Sequence, residues 1–173
     1  MNDLVNLAKQ HVETRYGGDW LDAILHPQAG PGATSDQGGQ APWEADEWTL
    51  TFEYSKNPLP LNGSRGGHQH HSRLVKAVRV VAKREARWAG IPALGRCQVH
   101  LTWYVLSAGR RDPVNLSATL KALQDGLVDA GVVVDDTPDL MNTIMPAIVR
   151  VDRMKHTTAW MELIVRRWEG PGA

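Results

Sequence analysis

Arg110-Arg111-Asp112-Pro113-Val114-Asn115-Leu116 sets two cations against a carboxylate where a strand should give way to a helix. The helix that follows carries Lys121 and Asp125, and beyond Gly131 come the adjacent carboxylates Asp135 and Asp136. Separated carboxylates can hold a divalent cation through oxygen donors, while that cation and a lysine offset charge on phosphodiester oxygens. The pattern points to metal-dependent attack on a phosphodiester. Asp112 and Asp136 would be catalytic and metal-holding, helped by Asp125 or Asp135. Lys121 would stabilise the pentavalent state or the leaving oxygen. Each residue also has a plainer reading. Asp112 can support a helix start and pair with an arginine, Asp-Asp-Thr-Pro is a turn sequence, and Lys121, Asp125 and Asp129 can form a solvated face. Only their combination across one helix, flanked by arginines, is specific.

The elements needed to position these groups are legible. Trp48, Leu50, Phe52 and Tyr54 alternate with polar residues and predict a half-buried strand. Residues 57–67 predict a loop, and 71–89 a helix with Leu74, Val78, Val81 and Ala82 on its apolar side. Glu85 projects onto that side, which places it at the core edge or against a base. A second strand follows at 99–105. A helix over about 115–130 buries Leu116, Leu120, Leu123 and Leu127, with Asn115 as a potential cap and Gly131 closing it. Further strands are expected at 147–154 and 158–167, the latter with Met161, Leu163 and Val165 on one face. The order strand–helix–strand–helix–strand–strand predicts an α/β (α+β) fold: a single small domain with a mixed sheet packed by two main helices. Residues 46–170 would form that domain. Residues 1–45, including the Gly/Pro-rich stretch 27–42, would be an N-terminal extension and linker.

The 173 residues suit one domain, and the balance of 19 basic and 19 acidic side chains hides a lopsided distribution. Residues 1–50 hold 8 acidic and 2 basic side chains, whereas 62–96 hold 8 basic ones and Glu85 alone. A polyanion responds to the local field, not to the total. Arg73, Lys76, Arg79, Lys83 and Arg87 share one side of the first helix and, with Arg65, Arg110 and Arg111, are candidate DNA-phosphate contacts. His68, His70 and His71 suggest metal ligands by type, but their Gly-rich setting predicts a flexible loop facing nucleic acid. Cys97 has no partner for an internal disulfide, favours a reducing compartment and reads as a small core residue. Trp48, Trp103 and Trp160 fall in strands and read as core. No apolar run approaches a membrane span, and the charged start is unlike a secretory signal, so a cytoplasmic location is expected.

The segment RRDPVNLSATLKALQDGLVDAGVVVDDTPDL resembles the RusA family of Holliday junction resolvases, especially its bacteriophage members. Asp112, Asn115-Leu116, Lys121 and Asp135-Asp136 match the family's pattern, and TLKALQDGLVDAG is similar to a string common in phage members. The loop PLPLNGSRGG and the basic helix are similar to the family's substrate loop and helix. The resemblance follows the order of elements over roughly 47–167 but is specific only over 110–140. It implies a homodimeric endodeoxyribonuclease that resolves four-way junctions by paired symmetric nicks, using Mg²⁺ or alternatively Mn²⁺. Two symmetric cuts require two sites related by a two-fold axis. It also implies a bacterial or phage-infected host cell. One departure stands out: Val114 occupies a position where the family commonly has a second aspartate. The alternative is therefore a branched-DNA-binding protein with weak or no cleavage.

Overall fold

The alternation seen from Trp48 onward forms strand β1, Glu47–Phe52, in which Trp48, Leu50 and Phe52 are buried between more exposed neighbours. The computed structural model describes residues 46–61 and 68–170. The expected extension over 1–45, and Arg65 with the rest of 62–67, lie outside the described residues. Helix α1 spans His68–Trp88, β2 Cys97–Val105, a 3₁₀ turn Pro113–Leu116, α2 Ser117–Ala130, β3 Met141–Arg150 and β4 Trp160–Arg167. The strands form one mixed sheet in the order β1-β4-β2-β3. β4 runs antiparallel to both β1 and β2, while β2 and β3 are parallel neighbours joined through the 3₁₀ turn and α2. The predicted α+β class and the predicted order of elements are both present.

Two local expectations change. β3 begins at Met141 rather than 147, and Asp152–His156 form a turn instead of a strand end. The cause is Pro146, which cannot donate to a ladder and interrupts the apparent alternation. The sheet absorbs it at a register shift, where Met145 and Pro146 lie between the pairs His100↔Ile144 and Thr102↔Ala147. An outer strand with a bulge is where proline is tolerated. The histidines also differ from expectation: His68, His70 and His71 belong to the first turn of α1.

One apolar cluster joins the helices to the sheet. Leu116, Leu120, Leu123 and Leu127 from the 3₁₀ turn and α2 meet Val78, Val81 and Ala82 of α1 and Met161, Leu163 and Val165 of β4. Cys97 is fully buried among them, and desolvation pushes its thiol up to about 12. Because the thiolate is the reactive form, a thiol reagent should modify Cys97 only as the domain unfolds. The modification rate should follow the unfolding rate as urea is raised. Glu85, 3% exposed, is held by the Arg84 guanidinium at 2.9 Å, the pairing its place on the wheel anticipates.

Two glycines shape the helix pair. Gly131 ends α2 at φ 86°, donating its N–H to the carbonyls of Leu127 and Val128. That left-handed conformation is cheap only for glycine. Gly126 lies where the helices touch: a Cβ there would sit 2.5 Å from the Ala82 Cβ and 2.5 Å from the Arg79 carbonyl oxygen. No helix among the described residues is long and apolar enough to cross a membrane.

Candidate active site

Three segments bring charged groups together along α2. Lys121 Nζ donates to Asp125 Oδ1 at 2.8 Å, one turn along, and also to Asp136 Oδ2 from the loop after the helix. Buried Val132 and Val133 anchor that loop, and the Leu94 N–H donates to the Val132 carbonyl at 2.8 Å. The predicted apolar run before the paired aspartates thus fixes where they emerge. Asp135 Oδ1 accepts the Asp136 N–H at 2.8 Å, so the first aspartate orients the second. From α1, Arg79 grips Asp129 with two hydrogen bonds, at 2.5 and 2.7 Å, and approaches Asp125 at 3.9 Å. The result is an alternating row: Asp129, Arg79, Asp125, Lys121, Asp136.

The row shifts its members' protonation. Burial pulls the Lys121 ammonium down, but the bonds to Asp125 and Asp136 outweigh it and hold the pKa above the usual lysine value. The hydrogen bond from Arg79 holds Asp129 below the ordinary carboxylate range, against a smaller opposing effect of burial. Asp129 stays ionised in the fold to lower pH than in the unfolded chain. Its stabilisation is therefore complete above a pH of about 4 and disappears as pH falls through the depressed value. Wild-type protein should lose more urea resistance than Asp129→Asn between neutral pH and pH 3. Parallel curves for the two proteins would contradict the linkage.

Asp112 stands outside the row. Its Oδ1 accepts the Val114 N–H at 2.9 Å and caps the 3₁₀ turn, which Pro113 opens. Asn115 is not the cap of α2: the structure places Leu116 there, without a side-chain cap bond. Pro113 explains the difference, because its fixed φ favours starting a turn directly after Asp112. Val114 is 45% exposed, and its side chain offers no oxygen to a metal ion. Sequence reasoning missed Asn57. Its amide donates to the Asn115 carbonyl at 2.7 Å, and its Oδ1 accepts from Thr119 at 2.6 Å, so it ties the loop after β1 to the head of α2. Nothing in a Lys-Asn-Pro loop signals a contact 58 residues away.

The expected DNA contacts divide. Arg73, Lys76 and Arg87 are exposed and Lys83 is half-buried, and among the described residues none of the four forms an ion pair. Val80, 61% exposed, lies on the same side of α1. Arg79 instead spends its guanidinium on Asp129 and Asp125. Arg111 folds back onto the Ser107 and Gly109 carbonyls at 2.8 and 3.0 Å and lies 5.3 Å from the Trp103 ring centre. Arg110 is exposed. Trp48 is buried as expected, but Trp103 and Trp160 are only partly so.

Among the described residues, no group of three or more His, Cys, Asp or Glu side chains is arranged to hold a metal ion. Mg²⁺ does not need such a cage, since it commonly takes one or two carboxylates and completes its shell with water and substrate phosphate. Asp125 and Asp136 both reach the same ammonium, so their oxygens converge on one point. By donor type and convergence, this pair fits such an ion. The chain matches no protein-family model, and a comparison with curated proteins found no match.

Proposed function

We propose that this chain is a Mg²⁺-dependent endodeoxyribonuclease acting on branched DNA, which as a homodimer resolves four-way junctions by paired nicks. The observation that carries the reading is the convergence of Asp125 and Asp136 on Lys121, on a helix packed against the basic helix α1. The resemblance of 110–140 to RusA-like resolvases supplies the reaction and the substrate. Asp125 and Asp136 would hold the metal, oriented by Asp135, with Asp112 contributing from the turn before α2 as the resemblance implies. Bound Mg²⁺ would neutralise charge on the phosphate oxygens. The chain's own groups do the rest. Lys121, drawn from its carboxylates to a phosphate, offsets the charge that develops there. Arg73, Lys76, Lys83 and Arg87 hold flanking phosphates without reading sequence, which makes binding steeply salt-dependent.

Asp112→Asn tests the turn's share. Asparagine can still accept the Val114 N–H, so folding should be unchanged while cleavage of a synthetic four-way junction falls on the order of 10–100-fold, the range for groups supporting a metal site. Undiminished cleavage would remove Asp112 from the site. A second reading, favoured by Val114 and by Asp112 standing outside the charged row, is junction binding without scission. It expects salt-sensitive binding and no nicks in Mg²⁺ or Mn²⁺, with Val114→Asp conferring cleavage.

A further inference from the structure

We propose that the end of the sheet where β2 and β3 finish carries a second nucleic-acid site, which takes an unpaired strand. A groove of about 380 Å³ opens there, lined by Val105, Ser107, Gly109, Arg111, Pro113 and Arg150 among others. That volume lies at the small end for ligand sites and admits about one nucleotide, not a duplex. Its apolar floor comes from Val105 and Pro113, and its cations are already placed. Three of the five Arg111 N–H donors are taken by Ser107 and Gly109, which with the Trp103 ring fixes the side chain and leaves two donors to meet a phosphate at little further cost in ordering. The parallel register sets Arg150 beside Val105, at the groove's other wall.

The loop from β3 to β4 adds to the same end. Arg153 Nε donates to the Leu106 carbonyl at 2.7 Å, which docks that loop onto the one leaving β2. Lys155 and Arg110 are exposed close by in sequence. Five cations, Arg110, Arg111, Arg150, Arg153 and Lys155, thus stand against three carboxylates: Asp112, Asp152 and, on β4, Glu162, which accepts the Trp160 indole N–H at 2.9 Å. Asp152 Oδ1 is occupied by the Met154 N–H at 2.9 Å.

What selects an unpaired strand is an aromatic ladder beside this patch. Tyr104 and Trp160, paired across β2 and β4, stack at 4.6 Å with planes 16° apart, and exposed His156 lies 4.8 Å from Trp160. Strand alternation puts Tyr104 on the face opposite Val105, so a strand seated in the groove reaches the ladder by crossing the sheet's end. Cations tracking a backbone, together with aromatic faces for successive bases, are the ingredients of single-strand binding. An acidic peptide would use the cations and leave the ladder idle.

The inference rests on the proposed function in taking DNA as the ligand, but not on cleavage. The test is fluorescence anisotropy of the full chain with a labelled oligothymidine and, separately, with a four-way junction whose arms are fully paired. Arg150→Glu combined with Lys155→Glu changes exposed side chains only. It should weaken oligothymidine binding by about tenfold or more and flatten its salt dependence by one to two counterions, roughly one per lost contact. His156→Ala should weaken the same ligand without changing the salt slope. Junction binding should respond instead to Arg73→Ala with Lys76→Ala. A wild-type chain that ignores oligothymidine, or a double variant that binds it unchanged, overturns the groove site. Oligothymidine binding without junction binding upholds the groove and overturns the branched-DNA reading.

Discussion

Lys121→Gln is expected to lower the nicking rate of a four-way junction on the order of a hundredfold, the scale for removing one donor to a developing negative charge. The same change should tighten Mg²⁺ binding. Both effects follow from one position: the ammonium bridges Asp125 and Asp136, and so competes with any cation those carboxylates hold. Glutamine removes the competitor together with the charge that later offsets the phosphate. Isothermal titration with Mg²⁺, alongside single-turnover nicking, separates the two consequences. A lysine that only bridges the two carboxylates would tighten Mg²⁺ binding on removal yet leave single-turnover nicking at the wild-type rate. Weaker Mg²⁺ binding in the variant would contradict convergence of the two carboxylates on the metal's position.

Gly126→Ala should destabilise the domain by about 1–3 kcal/mol, although the same exchange in an exposed helix would stabilise it by roughly 1 kcal/mol. The sign reverses because a methyl group there meets the Arg79 carbonyl and the Ala82 Cβ at 2.5 Å, and one of those neighbours is backbone. Only separation of α1 from α2 relieves the clash. That separation would also stretch the Arg79–Asp129 and Arg79–Asp125 pairs, which span the same contact one turn apart. Urea unfolding of wild type and variant measures the difference. The variant should lose nicking beyond what its folded fraction explains, because Asp125 follows α2. An unchanged or raised midpoint would show that the helices have room to spare.

The sheet and helices were legible because their apolar periods are clean: Met161, Leu163 and Val165 alternate, and Leu116, Leu120, Leu123 and Leu127 recur at helical spacing. β3 was harder to read. Pro146 broke its pattern, and only the sheet shows that a bulge on an outer strand absorbs the interruption. In the candidate site, the residues on α2 and the paired aspartates were visible as residue types at suggestive separations. The helix wheel puts Arg79 on the phosphate-facing side. A wheel cannot show that α2 passes close enough at Gly126 for Asp129 and Asp125 to take that guanidinium. Asn57, the sheet-end groove and the Tyr104–Trp160–His156 ladder depend on contacts between distant segments, which no local pattern encodes.

The most direct measurement is nicking of a synthetic four-way junction by the full chain with and without Mg²⁺, run beside Asp136→Asn. Symmetric nicks should form only with the divalent ion, and the variant should bind the junction yet leave it whole. Scission in a chelator, or a variant that cuts as fast as wild type, would contradict the account.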